Sequence, residues 1–281
     1  MSRRQKVWFI TGTSRGFGHE WAVAALQRGD SVAATARDAT SLESLVADYG
    51  NAVLPIQLDV TDRQAGFAAI RRAHNHFGRL DIVVNNAGYG QLGFIEELSE
   101  REARAQFDTN VFGALWITQA ALPLLRQQRS GHIIQVSSIG GITAFAGSGM
   151  YNSSKWALEG FSQALAWEVA PFGIRVTLIE PGSFSTTWSE GVRQASPLVD
   201  YSELHQTAAE AQKLKMSSRG DPRASACALM KIVDAPNPPL RVFFGANALE
   251  LAMTDYDNRI KSWQQWQSVA REAHGAPRVD W

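Results

Sequence analysis

Residues 10–18, ITGTSRGFG, place Gly12, Gly16 and Gly18 where an apolar strand gives way to a helical pattern. Glycine weakens the interior of a helix or strand, so this clustering needs a reason. After a first strand, Gly12 permits a tight turn, Gly16 lets the backbone approach a ligand, and Gly18 allows close packing of helix on strand. The helix that starts here aims its free N–H groups and the positive end of its dipole at the turn, which makes an anion site. The stretch reads as a phosphate-binding turn at the head of an α/β sheet.

Working outward, strands alternate with helices. Strands are read in KVWFIT (6–11), SVAATA (31–36), VLPIQLDV (53–60), DIVVNNA (81–87), HIIQVSS (132–138), RVTLIEP (175–181) and LRVFFG (240–245). Helices are read over 18–29, 40–50, 62–77, about 100–126, about 150–169 and from about Asn247 onward. The strands are apolar without clean alternation, as expected where helices cover both faces of a sheet. Repeated β–α units predict parallel strands with right-handed crossovers. The expected fold is α/β: a doubly wound, mostly parallel sheet of about seven strands, Rossmann-like, in a single domain over residues 1–281. Residues 183–220 break the rhythm. They are polar, follow the carboxyl end of a strand, and are expected to hold one or two short helices and to form a substrate lid.

Composition narrows the function. The 281 residues are 45% hydrophobic and 19% charged, enough apolar material for a large core. The 27 basic and 27 acidic residues balance, which argues against a nucleic-acid partner or an anionic membrane surface. One cysteine, Cys227, cannot form an internal disulfide and reads as core; with it goes an expected cytoplasmic location. The apolar run before Gly12 is too short for a secretory signal, and no stretch approaches the ~20 residues of a membrane span. His74 and His76 close a surface helix, and the histidines show no metal-ligand spacing, so no metal is expected.

Several motifs, in order, resemble the short-chain dehydrogenase/reductase family in its single-domain form. They are Thr11-Gly-Thr-Ser-Arg-Gly-Phe-Gly18, Asp59-Val60, Asn85-Asn-Ala-Gly88, Asn110, Ser138, Tyr151-Asn-Ser-Ser-Lys155 and Pro181-Gly182, within about residues 6 to 245. The resemblance implies nicotinamide dinucleotide binding by Gly12, Ser14, Arg15, Gly16, Phe17 and Gly18. It further implies contacts from Asp59 and Val60 at the adenine, from Asn86, Ala87 and Gly88 at the adenosine ribose, and from Pro181, Gly182, Phe184 and Thr186 at the carboxamide. Thr187 could replace Thr186. The second strand ends at Ala36, which can neither bind a ribose 2′-OH nor a 2′-phosphate, and Arg37 follows. Basic residues at Arg15 and Arg37 go with NADP in that family, and two guanidiniums suit one phosphate. Asp38 lies near the spacing expected of an NAD-selecting acid. It is read instead as the start of a turn before Thr40 caps the next helix, which favours NADP over NAD.

Tyr151 and Lys155 are four apart on an expected helix, so they share a face. Ser138, at the end of the preceding strand, lies on the side of the glycine loop; Ser137 is the alternative. Hydride reduction of a ketone builds negative charge on oxygen that must receive a proton. A phenol titrating near 10 becomes useful when an ammonium lowers it, and Ser138 can donate to the substrate oxygen. By the resemblance, Lys155 also bonds the nicotinamide ribose and Asn110 holds a water in a proton relay. Tyr89, Phe94, Ile139, Phe145, Met150, Phe184 and Trp188 are expected to line an apolar pocket for a hydrophobic ketone, aldehyde or alcohol. The aromatic tail, with Trp263, Trp266 and Trp281, is read as packing on the body or on a second subunit of a homodimer or homotetramer. The expected activity is NADP(H)-dependent interconversion of carbonyl and alcohol. An NAD-using enzyme of the same family and a catalytically silent dinucleotide sensor are the alternatives.

Overall fold

The first strand, β1 (Val7–Ile10), is buried along its whole length, and its successive side chains leave on opposite faces. Trp8 enters one core and Phe9 the other. This is the pattern of a strand covered on both sides. In the computed structural model, which describes residues 4–185, 191–215 and 219–275, the remaining elements build around it.

After β1 come α1 (Gly16–Gln27), β2 (Ser31–Ala36), α2 (Glu43–Tyr49), β3 (Val53–Gln57) and α3 (Arg63–Phe77). Next are β4 (Ile82–Asn85), the two-residue β5 (Gln91–Leu92), α4 (Glu100–Phe107) and α5 (Ala114–Gln128). Then follow β6 (Gly131–Val136), α6 (Gly149–Val169), β7 (Ile174–Pro181), β8 (Arg193–Gln194) and α7 (Ser202–Lys215). The chain ends in α8 (Pro222–Asp234), β9 (Arg241–Phe244), α9 (Ala248–Gln265) and α10 (Gln267–His274).

Among the described residues, seven strands form one sheet in the order β3-β2-β1-β4-β6-β7-β9, every pair parallel. The strand order reverses between β1 and β4, and a crevice for ligands opens beyond the carboxyl ends at such a point. Local chemistry sets the helix ends. Asp62 caps α3 by accepting from Ala65 N at 2.9 Å, and Gly78 ends it at φ 76°. Ser99 and Glu102 form a capping box on α4. The Trp21 indole donates to Ser225 Oγ at 2.8 Å, tying α1 to α8 inside one core.

The expected fold and single domain stand. Four details differ from the sequence reading. The helix expected over 100–126 is broken by a π-helical turn, Asp108–Gly113, because the Asn110 side chain is drawn out of register by partners elsewhere in the fold. Asp38, rather than Thr40, is the capping residue: its carboxylate accepts from Thr40 N at 3.0 Å and from Thr40 Oγ1 at 2.8 Å. Cys227 is exposed, because the buried face of α8 is carried by Ala226, Leu229 and Val233. Trp263 and Trp266 are 61% and 65% exposed and do not pack on the body of their own chain.

Candidate active site

The glycine loop is stapled to the loop after β4 by its own threonines. Thr11 Oγ1 accepts from Asn86 N and Ala87 N, each at 2.9 Å, while the Asn86 amide donates to Thr11 O at 2.8 Å and Gly12 O at 3.0 Å. Thr13 Oγ1 donates to Thr35 O on β2 at 3.1 Å. Gly12 and Gly16 sit at φ 70° and 60°, a region side chains disfavour. A Cβ on Gly18 would stand 2.3 Å from Gly12 O and 2.5 Å from Asn86 Nδ2. Gly18 therefore serves the packing of the loop on itself. Helix α1 begins with no side-chain cap and no acid in its first turn, so its N–H groups face the crevice with nothing acidic to repel an anion.

Of the other expected dinucleotide residues, Ser14, Arg15 and Arg37 are exposed at the rim, and the Arg15 guanidinium lies against Gly191. Asp59 is exposed and holds Thr61 N and Oγ1, while Val60 is buried against Gly113 of the π-turn. Pro181 ends β7, and Gly182 N donates to Phe244 O at 2.8 Å. Phe17 and Phe184 turn out to be packing residues. Their rings meet edge-on at 5.0 Å, Phe17 stacks on Trp21 at 5.2 Å, and Phe184 covers Gly220. Their apolar area is spent in the core around Trp21. Thr186, Thr187, Trp188 and Trp281 lie outside the described residues.

The expected polar trio comes together. Ser138, just past β6, accepts from Gly140 N at 3.0 Å, and the Tyr151 hydroxyl is hydrogen-bonded to it. Ser137 faces the other way, toward Gly141 and Glu159. Lys155 is one helical turn beyond Tyr151, buried, and donates from Nζ to Val136 O at 2.8 Å. A side chain at Gly88 would begin 3.0 Å from Asn110 Oδ1 and 3.7 Å from Lys155 Nζ, so this loop roofs both. Asn110 accepts from Tyr89 N at 3.1 Å and donates to Tyr89 O at 3.0 Å and Ser154 Oγ at 3.1 Å. Both amide hydrogens are used, leaving one lone pair of Oδ1 for a water.

Tyr151 is set by its burial as well as by its neighbours. Burial pushes its hydroxyl above the usual phenol range, and the Ser138 bond only partly offsets this. Lys155 Nζ lies 5.8 Å from the Tyr151 ring centroid and is bonded to the Val136 carbonyl. Burial also pulls Lys155 down to about 8, against the opposing pull of Glu159.

The pattern matches a family model described as short chain dehydrogenase over residues 6–197. The chain belongs to the short-chain dehydrogenase family. One family relative, an oxidoreductase of Botryotinia fuckeliana, is 41% identical, covering 94% of this chain and 98% of its own. Another, the 3-ketodihydrosphingosine reductase of Bacteroides thetaiotaomicron, is 35% identical over 85% of this chain and 88% of its own. The crystal structure of a short-chain dehydrogenase from Streptomyces avermitilis superposes with a TM-score of 0.90 at 38% identity, covering 97% of this chain and all of that one. Two further solved structures are each 25% identical and carry nucleotides. An alcohol dehydrogenase of Thermococcus sibiricus holds 5-hydroxy-NADP (TM-score 0.73, 86% of this chain, 97% of that one), and a 3-ketoacyl-(acyl-carrier-protein) reductase of Brucella melitensis holds NADH (TM-score 0.72, 85% and 96%).

The sequence reading quoted Thr11 and Thr13 within the glycine motif but gave no role to them, though they tie that loop to the loop after β4 and to β2, or to Ser154, which holds Asn110. It also passed over a buried cluster of Glu159, Glu180 and Arg241 behind Lys155. Two signals were available: Glu159 stands one turn past Lys155 on the same helical face, and Glu180 is an acid inside an apolar strand.

Proposed function

We propose that this short-chain dehydrogenase is an NADP(H)-dependent oxidoreductase that interconverts a hydrophobic ketone or aldehyde and its alcohol. The observation that carries the reading is the hydroxyl pair of Ser138 and Tyr151, with Lys155 one turn away, at the carboxyl edge of the sheet beside the reversal point.

The residues present fit a dinucleotide: the loop leaves no room for a Cβ at Gly18, the following helix is open to an anion, and a buried ammonium waits at the far end. Gly12, Ser14, Gly16 and Gly18 would hold the pyrophosphate on the α1 terminus, and Arg15 and Arg37 the 2′-phosphate. Asp59 and Val60 would meet the adenine, Asn86, Ala87 and Gly88 its ribose, and Pro181, Gly182, the Phe184 backbone and Thr186 the carboxamide. When bound, the nicotinamide supplies or accepts the hydride. Asp38 has one oxygen committed to Thr40, which weakens its claim as an NAD-selecting acid.

Tyr151 gives its proton to the carbonyl oxygen as negative charge develops there. Burial holds the phenol above its ordinary range, so proton transfer depends on the charge developing on the substrate oxygen and on the Lys155 ammonium nearby. Ser138 donates to the same oxygen and orients it. The Lys155 ammonium stabilises the phenolate left behind, and Asn110 fixes the roof over it and offers one lone pair to a relaying water. Met150, beside Tyr151 in the chain, favours an apolar substrate, and the name of the Bacteroides relative is in keeping with this; Ile139 and Phe145, expected beside it, pack instead with Ala248, Ala252 and Phe243. No described helix is long and apolar enough to cross a membrane. Exposed Trp167 on α6 and Trp263 on α9 support a homodimer or homotetramer, and a cytoplasmic location completes the reading.

Initial rates with NADPH and with NADH, over apolar ketones, aldehydes and small keto acids, test this. NADPH-dependent reduction of apolar carbonyls is expected. Turnover with NADH alone, or with charged keto acids alone, overturns it.

A further inference from the structure

Tyr151, Lys155, Glu159 and Gln163 follow one another at four-residue intervals on α6, so the catalytic face continues past the lysine into the interior. There it meets β7 and β9. Glu159 is 6% exposed and Glu180 0%, and their carboxyls touch each other. Arg241 Nε donates to Glu159 Oε2 at 2.8 Å and lies 3.5 Å from Glu180 Oε1, while its Nη2 donates to Gln163 Oε1 at 2.8 Å. Both oxygens of Glu180 are buried without a hydrogen-bond donor among the described residues, and the Ser137 hydroxyl lies against Glu159.

Two ionised carboxylates cannot donate to each other, and one guanidinium cannot neutralise both. Left so, two like charges would lie in contact out of water, with oxygens that find no donor, a costly state. A single proton lessens both faults: it supplies a donor between the two carboxyls and leaves one negative charge, on Glu159, facing both Arg241 and Lys155. Burial and the neighbouring Glu159 charge push Glu180 up to about 8, and burial pushes Glu159 up as well. The remaining neighbours of the cluster are the Ser137 hydroxyl, from the turn after β6, and Lys155 itself. From α9, Arg259 pairs with Asp255 at 2.6 Å and donates to Ile142 O.

We propose that Glu159 and Glu180, clamped by Arg241, share one proton, and that the charge left on Glu159 helps keep Lys155 an ammonium. Glu159 is then a positioning residue, acting through Lys155 on Tyr151. The effect on turnover rests on the catalytic reading of that pair; the shared proton does not.

Two measurements separate the claims. Infrared difference spectra of the whole enzyme between pH 6 and pH 10 read the proton directly, without turnover. The native protein is expected to show a protonated carboxyl band that fades toward pH 10, and Glu180→Gln is expected to lack it; absence of the band in the native protein overturns the shared proton. The pH profile of kcat/KM reads the counter-charge. Glu159→Gln is expected to move the alkaline limb about one unit lower, the effect of removing one nearby charge. Glu159→Asp is expected to restore most of that shift, and Glu180→Gln to leave the limb in place. A Glu159→Gln profile that superimposes on the native one, or equal shifts in the Gln variants, refutes the coupling. Should Glu159→Gln fail to fold, the infrared comparison and Glu159→Asp still decide.

Discussion

Alanine in place of Gly18 and of Gly160 is the same chemical change with opposite expected outcomes. Both glycines lie inside helices, α1 and α6, so backbone conformation does not separate them. At Gly18 the new methyl would stand 2.3 Å from Gly12 O and 2.5 Å from Asn86 Nδ2. To admit it, Asn86 must leave Thr11 O and Gly12 O. Losing two hydrogen bonds costs about 2 kcal/mol. Overpacking adds about 1 to 3 kcal/mol, and the better helix propensity of alanine returns about 1. The net expectation is a loss of about 2 to 4 kcal/mol, with at least about tenfold weaker NADPH binding because the displaced carbonyl belongs to the phosphate turn. At Gly160 a methyl meets nothing within 4 Å, so alanine should stabilise by about 0.5 to 1 kcal/mol and leave binding untouched. Urea unfolding and fluorescence titration with NADPH measure both. A Gly18→Ala protein with native midpoint and affinity would refute the packing argument, as would equal destabilisation by the two variants.

Two further outcomes follow from the charges. Arg37→Ala should raise KM for NADPH about 10- to 100-fold, the worth of a charge-assisted bond, and hardly change KM for NADH; equal effects on both would remove the 2′-phosphate role. Burying Lys155 lowers it from the ordinary 10.5 to about 8, so below pH 8 both folded and unfolded chains hold the proton and the full penalty of about 3 kcal/mol is present. Between pH 8 and 10.5 the folded chain sheds the proton first and stability recovers. Urea unfolding at pH 7 and pH 10.5 should therefore show the native protein gaining about 3 kcal/mol relative to Lys155→Met, and a constant difference contradicts this.

The sheet was readable because its signals are local. A run such as VWFI, buried on both faces and followed by closely spaced glycines, leaves few alternatives, and the four-residue step from Tyr151 to Lys155 fixes a shared face whatever surrounds it. What escaped depends on partners distant in the chain. The π-turn at Asn110 is set by Tyr89 and Ser154, 21 and 44 residues away, while TNVFG itself continues a helical pattern. Phe17 and Phe184 follow the family's spacing, yet their rings belong to the core around Trp21. Spacing places the lysine beside Tyr151 but says nothing of the burial that pushes the hydroxyl up. Arg241 reaches Glu159 across 82 residues, a pairing that no local pattern announces.

The central claim is that the Tyr151 hydroxyl moves the proton. Single-turnover reduction of an apolar ketone by Tyr151→Phe, followed at the nicotinamide absorbance alongside NADPH binding, tests it most directly. The account predicts native affinity for NADPH with hydride transfer slowed about 10²- to 10⁴-fold. Transfer at the native rate in a protein that binds NADPH normally would contradict it.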